Sequence, residues 1–331
     1  MKEIKIGNNA AGKRLDSFLK SYLPGATGGF LYKMLRKKNI TLNGKKADGT
    51  EKLSENDVIK IFFSDETFDK FKGSSNSKNT ENEKNIDLSK YGDVKVVYED
   101  SNILLASKPV GLLSQKSSSK DISLNDWLID YLLTGKKITY DELEIYKPSI
   151  CNRLDRNTGG IVICAKSLSG ARVMNKLLKD RTLDKFYRTI VSGEVSESIY
   201  LKGYLYKDDK KNKVFIKKED PKDDRYSYIE TEIVPVKYNE DTDMTMLEVK
   251  LITGKPHQIR AHLSSIGHPL IGDVKYGGKT YGEVNYQLLF CNRICFPAEM
   301  PAEFDNIKGR EFKTDLPAIY DKIFYSYNKR G

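Results

Sequence analysis

Between Phe71 and Asn85 the chain reads Phe-Lys-Gly-Ser-Ser-Asn-Ser-Lys-Asn-Thr-Glu-Asn-Glu-Lys-Asn, almost without apolar side chains. Such a stretch cannot bury enough surface to offset its ordering entropy, so it reads as a flexible linker. It divides the 331 residues into a small leading unit and a long trailing one. The expected boundaries are a first domain over 1–64, a linker over 65–92 and a second domain over 93–331. Hydrophobic residues make up 39% of the chain, enough for folded cores.

The formal net charge of +10 is unevenly placed. Residues 1–64 hold thirteen Lys and Arg against six Asp and Glu, a net of +7. A small basic unit suggests a polyanionic partner, nucleic acid being the commonest. A solvated lysine-rich surface with no partner is the alternative. No run of about 18 apolar residues occurs, so no membrane span is expected. Met1 to Gly7 lack the apolar core of a secretory signal. Four cysteines argue against a disulfide scaffold and for a reducing cytoplasm.

In the first unit, Leu15, Phe18, Leu19, Tyr22 and Leu23 follow helical spacing. Gly25 and the Gly28-Gly29 pair are expected to interrupt it, with a second helix over 30–38. A short strand from Ile40 runs into an Asn43-Gly44 turn, and residues 57–63 form a closing strand. Lys33, Arg36, Lys37, Lys38, Lys45 and Lys46 then gather near the second helix's end and the turn. Cations there complement a helix dipole or contact phosphates. With Arg14-Leu15-Asp16 at the first helix and Asp57-Val58-Ile59 in the late strand, the segment resembles the S4-like RNA-binding domain. The resemblance implies RNA binding by a small α+β domain through Lys33, Arg36, Lys37, Lys38 and Lys45.

The second unit opens with two strands around an acidic turn, then a Lys108-Pro109-Val110-Gly111 bend. Residues 123–133 read as a helix capped by Ser123. Asn152-Arg153-Leu154-Asp155-Arg156 precedes a Gly-rich bend and the wholly apolar strand Ile161 to Ala165, which reads as buried. An acid at the edge of a rigid element is well placed for catalysis; an ion pair with Arg153 or Arg156 is the bland alternative. Ser169 to Leu183 reads as a helix. Lys185 to Gly193 is a strand with Tyr187, Thr189 and Val191 on one side. A later strand ends at Thr253-Gly254 and feeds a helix with Pro256 in its first turn, ended by Gly267. His257 and Arg260 then share a face. His257, His262, His268 and Asp273 match no metal-ligand spacing, so no metal is expected.

Taken in order, these motifs resemble the RluA-type family of pseudouridine synthases over residues 93–325. The family's His-Arg-Leu-Asp-x-x-Thr-Ser/Thr-Gly stands here as Asn152 to Gly160, and its Lys-x-Tyr as Lys185-Phe186-Tyr187. Its Thr-Gly-Arg-x-His-Gln-Ile-Arg-x-His stands as Thr253 to His262, and its Gly-His-Pro-x-x-Gly-Asp as Gly267 to Asp273. Asn152 replaces the usual His, Gly159 the usual Ser or Thr, and Lys255 the usual Arg.

The resemblance implies an α+β catalytic domain with a mixed, largely antiparallel sheet and flanking helices. It implies isomerisation of uridine in RNA, with no metal, redox cofactor or ATP. Asp155 would be the catalytic carboxylate, Arg260 its ion-pair partner and Tyr187 the ring stacked on the uracil, assisting proton removal at C5. Arg153, Lys166, His257, Gln258 and Leu289 would line the substrate. Whether Asp155 attacks ribose or base stays open. The expected target is large-subunit ribosomal RNA, with tRNA as the alternative, and the protein is expected to be a cytoplasmic monomer. A non-catalytic RNA-binding assembly factor is the reading from another class; Asp155, Tyr187 and Arg260 together argue against it. A glycosidase would need a second, proton-donating carboxylate that these motifs lack.

Overall fold

The computed structural model describes residues 1–72, 86–208, 210 and 212–325. The leading unit runs β1 (Lys2–Lys5), α1 (Leu15–Tyr22), α2 (Gly28–Arg36), β2 (Ile40–Leu42), β3 (Lys45–Lys46), β4 (Val58–Ile61) and α3 (Asp65–Lys72). Its strands form an antiparallel sheet in the order β1-β4-β2-β3. The β2–β3 turn places Asn43 and Gly44 both at positive φ, the tight hairpin expected of an Asn-Gly pair. The apolar stripe of α1 packs with α2 and the sheet around Phe18, Leu31, Leu35, Ile40 and Ile59. Gly28 and Gly29, expected ahead of a second helix over 30–38, instead form the first turn of α2, which ends at Arg36, because the Thr27 side chain accepts the Phe30 N–H and sets the start there.

The expected linker over 65–92 is corrected on both flanks. Residues 65–72 form α3, which buries Phe68 and packs Phe71 in the first core. Phe68 and Phe71 are three apart, a helical face submerged among charges. Ser89–Tyr91 make a short 3-10 turn, and buried Tyr91 donates to Asp130 at 2.6 Å. Residues 73–85 of that expectation lie outside the described residues.

The trailing unit runs β5 (Lys95–Glu99), β6 (Ile103–Lys108), α4 (Leu124–Thr134), α5 (Tyr140–Ile145), β7 (Ser149–Ile150), β8 (Gly159–Ala165), α6 (Leu168–Asp180) and β9 (Asp184–Ser192). It continues with β10 (Ile199–Asp208), β11 (Lys213–Lys217), β12 (Ser227–Asn239), β13 (Met244–Leu251), α7 (Gln258–Ser265), β14 (Leu289–Cys295), β15 (Glu311–Lys313) and α8 (Ile319–Phe324). Among the described residues an eleven-stranded sheet runs β11-β10-β12-β13-β9-β14-β8-β6-β5, with β15 on β14 and β7 on β8. The β14–β8 contact is parallel; the other pairings are antiparallel. The fold is therefore α+β with a mixed, largely antiparallel sheet.

All of β8 is buried, and its core includes Trp127 and Leu128 of α4 and Met174 and Leu177 of α6. Each large aliphatic side chain so buried contributes about 1.5–3 kcal/mol. Gly160, at φ +107, crosses β14 so closely that a Cβ there would lie 2.2 Å from the Cys291 carbonyl oxygen. Only glycine permits that passage. At Gly159 a Cβ would fall 2.7 Å from the Phe290 ring, so Phe290 fills the space a Ser or Thr would need.

The two units touch through α5. Ile145 belongs to the first core although it lies in the trailing segment. Lys13 Nζ donates to the Ile145 carbonyl at 2.9 Å, and Lys72 pairs with Glu144 at 3.2 Å. No helix among the described residues is long and apolar enough to cross a membrane.

Candidate active site

Asp155 sits in the loop between β7 and β8, just ahead of the buried strand. The loop is tied down on both sides of the acid. Before it, Ser114 Oγ donates to the Leu154 carbonyl at 2.7 Å and accepts the Leu154 N–H at 3.0 Å. After it, the Arg156 carbonyl accepts from the Gly111 N–H and from Lys108 Nζ, both at 3.0 Å. Thr158 N–H closes a turn onto the Asp155 carbonyl at 3.0 Å. Asn152, at the family's usual His position, accepts the Ile163 N–H at 2.8 Å and so pins the loop to β8.

Lys108 is fully buried and donates to three carbonyls, those of Pro109, Leu112 and Arg156. Burial pulls its pKa down to about 7, against the pull of the nearby Asp155 carboxylate. The sequence pattern gives Lys108 only as part of a bend; its position at the end of apolar β6 is the signal that could have marked it.

Arg260 reaches Asp155 from α7. Its Nη1 donates to Asp155 Oδ2 at 3.3 Å, and no described residue donates to Oδ1. The expected pairing is present, but the stronger partner of Arg260 is Asp273. Nε and Nη2 form a two-pronged contact with Asp273 at 2.7 and 2.8 Å. The Asp273 side chain is 1% exposed and that of Arg260 is 8%, whereas Asp155 is 33% exposed. Burial works against the charge on Arg260, yet the Asp273 and Asp155 carboxylates outweigh it and raise its pKa. Asp273 thus holds the guanidinium, and the guanidinium holds Asp155. Arg153 and Arg156 are exposed and make no ion pair with Asp155 among the described residues, which removes the bland alternative.

Pro256 is not in the first turn of α7; it lies in a turn ahead of Gln258, where the helix starts. His257 is the residue between them, in the left-handed region at φ +54. Its Nε2 lies 3.8 Å from Asp155 Oδ2 and its Nδ1 2.9 Å from the Tyr276 hydroxyl. Burial lowers the His257 pKa, with Arg260 and Lys275 adding to the effect and the Asp155 and Asp273 charges opposing it. At its other end α7 closes as expected at Gly267 (φ +87). Gly267 N–H bonds the Ser264 carbonyl and His268 N–H the Leu263 carbonyl.

Tyr187 projects from β9 into the core that also holds Leu154, Ile259 and Leu289. Its register partner across β14 is Cys291, and Leu289 faces Thr189 two positions away, on the same side. Burial raises the Tyr187 pKa well above its ordinary value, with Cys291 and Asp155 adding to it. Burial thus favours the neutral form of its hydroxyl.

Two expected substrate contacts are corrected. Lys166 lies at the far end of β8, about 20 Å from Asp155 at the rise of a strand. It is occupied by Glu99 Oε1 at 2.6 Å and the Asp100 carbonyl at 2.7 Å. Gln258 is buried with all four bonding positions filled. Thr253 Oγ1 and Lys255 N–H donate to its Oε1, while its Nε2 donates to the Glu230 carbonyl and Thr231 Oγ1. It clamps the start of α7 onto β12 and has nothing left for a ligand. Lys33, Arg36, Lys37, Lys38 and Lys45 are all exposed on the leading unit and have no ion-pair partner among the described residues.

A sequence model of the RNA pseudouridylate synthase family matches residues 102–265, the segment carrying Asp155, Tyr187 and Arg260. An uncharacterised RNA pseudouridine synthase of Mycoplasma genitalium is 28% identical over 96% of this chain and 97% of its own. The ribosomal large subunit pseudouridine synthase C of Rickettsia conorii is 27% identical over 95% of this chain and 97% of its own. The structure of human RNA pseudouridylate synthase domain containing 4 shares the fold, with a TM-score of 0.53 at 18% identity over 68% of this chain and 90% of that one.

Proposed function

The chain belongs to the RNA pseudouridylate synthase family and is an RNA pseudouridine synthase, and from that premise we propose that it isomerises uridine in large-subunit ribosomal RNA with Asp155 as the catalytic carboxylate. The observation that carries the assignment of Asp155 is its asymmetric setting. One oxygen is held 3.3 Å from Arg260, while the other accepts nothing from the described residues. Such a carboxylate is oriented by one oxygen and reactive through the other.

In the reaction the C1′–N1 bond breaks, the uracil turns and C5 joins C1′; the C5 proton leaves and N1 takes up a proton, so that the product is an isomer of the uridine. Nothing is oxidised or hydrolysed. The target nucleotide must leave its stack to reach the acid, at a cost of a few kcal/mol. Tyr187 and Leu289 supply the apolar wall for the uracil, and exposed Arg153 takes a phosphate or the vacated space. The leading unit acts as an S4-like domain, its free cations adding sequence-tolerant affinity for phosphates. Rickettsial synthase C, by its name a large-subunit enzyme, supports ribosomal RNA as the target. We expect the protein to work as a cytoplasmic monomer.

The test is pseudouridine mapping, by carbodiimide-dependent reverse-transcription stops, of total RNA from cells with and without the protein or with Asp155→Asn. Stops in large-subunit RNA lost in both deficient strains support the proposal. Loss only in tRNA moves the target and keeps the chemistry. Stops retained with Asp155→Asn remove Asp155 from its role.

A further inference from the structure

Tyr276 lies just beyond the acid that holds Arg260. It is buried, and its backbone is fixed by Ser264 Oγ, which donates to the Tyr276 carbonyl at 2.6 Å. The hydroxyl meets two groups. Its oxygen accepts the Val214 backbone N–H at 2.9 Å, and His257 Nδ1 lies 2.9 Å away. The rings of Tyr276 and His257 stand edge to face, with centroids 5.7 Å apart.

The proton count follows from these contacts. The Val214 N–H can only donate, so it uses a lone pair of the phenol oxygen. The phenol proton then needs an acceptor, and His257 Nδ1 is the one within reach. Nδ1 must therefore be unprotonated, and the imidazole proton must sit on Nε2. Nε2 is the nitrogen that points to Asp155 Oδ2, at 3.8 Å. With the opposite tautomer the phenol proton would be orphaned in a buried site and a lone pair would face the carboxylate. His257 is also held at positive φ, a backbone state that costs energy and persists where the surroundings enforce it.

We propose that Tyr276 is a positioning residue that locks His257 as the neutral Nε2–H tautomer, so that a hydrogen-bond donor, rather than a lone pair or a second cation, faces Asp155. Arg260 and His257 then converge on Oδ2 and leave Oδ1 to react. The groups facing His257 come from three elements: Asp155 from the loop before β8, Arg260 from α7, and Asp273, Lys275 and Tyr276 from the segment after α7. Lys213 of β11 lies against the far side, its Nζ 5.4 Å from the Tyr276 ring centre. The proposal rests on Asp155 as the catalytic group only for its effect on turnover.

The chain has three histidines, so long-range proton–nitrogen NMR on the full-length protein can read each tautomer directly. His257→Gln assigns the signal. The expected result is a neutral His257 with bare Nδ1 at pH 7, becoming a mixture of tautomers in Tyr276→Phe. Asp155→Asn should leave the tautomer in place, whatever it does to turnover. For turnover, Tyr276→Phe and His257→Ala should lower kcat about tenfold or more with little change in KM. His257→Gln, whose amide N–H can stand where Nε2–H stood, should recover part of the loss. A wild-type His257 protonated on Nδ1, or a tautomer unchanged in a folded Tyr276→Phe protein, overturns the proposal. Turnover retained in Asp155→Asn would overturn the role of Asp155 and leave the lock standing.

Discussion

Replacing Asp273 with Asn tests the view that the acid behind Arg260, rather than the acid in front of it, holds the guanidinium. Asn keeps the shape and one acceptor oxygen but loses the charge, and its NH2 group faces the guanidinium N–H. Of the two contacts at 2.7 and 2.8 Å, one survives and one becomes a clash of donors. A charge-assisted hydrogen bond is worth about 1.5–3 kcal/mol, and breaking a buried ion pair costs about 3–5 kcal/mol. Because Asp155 remains as a second carboxylate at 3.3 Å, the lower end applies, about 3 kcal/mol. Trp127, the chain's single tryptophan, is buried in the core of this unit and reports its unfolding by fluorescence. With a urea dependence of about 2–3 kcal/mol per molar, the midpoint should fall by about 1–1.5 M. Arg260 should also lose its aim, and forfeiting its bond to Asp155 should slow turnover about 10- to 150-fold. Arg260→Leu combined with Asp273→Leu should recover stability, since an apolar pair of similar bulk often replaces a buried ion pair without loss, yet remain inactive. A midpoint and a turnover number unchanged by Asp273→Asn would refute this account of the site.

Lys108 makes a prediction in pH. Its proton leaves the folded protein near pH 7 but leaves the unfolded chain only near 10.5, so between those values the unfolded state binds more protons. Stability should therefore rise with pH across that window, by up to about 1.4 kcal/mol per unit. Lys108→Met should flatten the rise while lowering stability throughout, because three carbonyls lose their donor. Urea midpoints at pH 7 and 9 measure both, and identical slopes in the two proteins would discard Lys108 as the source. On the leading unit, Lys33→Ala, Arg36→Ala and Lys37→Ala together should leave the melting temperature in place and weaken RNA binding. The slope of affinity against salt should fall by about one for each phosphate no longer neutralised. An unchanged slope would exclude these cations from the RNA interface.

What could be read from the sequence was what local chemistry decides. The Asn43-Gly44 hairpin, the Ser123 cap and the Gly267 helix stop each depend on a few adjacent residues, and each stands where the pattern puts it. The buried strand before Ala165 was legible because an unbroken apolar run has few other uses. Asp155, Tyr187 and Arg260 were legible only through resemblance to a family, since no local pattern sets an acid, a phenol and a guanidinium from three distant segments side by side. What was missed depends on contacts across the fold. Nothing near Asp273 in the chain says that it grips Arg260, and nothing near Lys166 or Gln258 says that their polar atoms are already occupied. The β10–β12 meander and α5 went unread because alternation there is blurred by exposed tyrosines and charges on long strands. The α3 face failed to register because Phe68 and Phe71 are outnumbered by charged neighbours.

Ile145 lies some seventy residues after the end of α3 yet completes the core around Phe18 and Phe68. The two halves are thus not cassettes that could be traded between relatives. Residues 1–72 grafted onto another catalytic body would carry a hole where Ile145 belongs, and removing the leading unit would bare an isoleucine on what remains. The same plug ties the unit that carries the exposed cations to the unit that carries Asp155; under the proposed RNA role of the leading unit, the molecule would work as a caliper, reaching a uridine only where the phosphates gripped by one jaw stand at the distance set by the other.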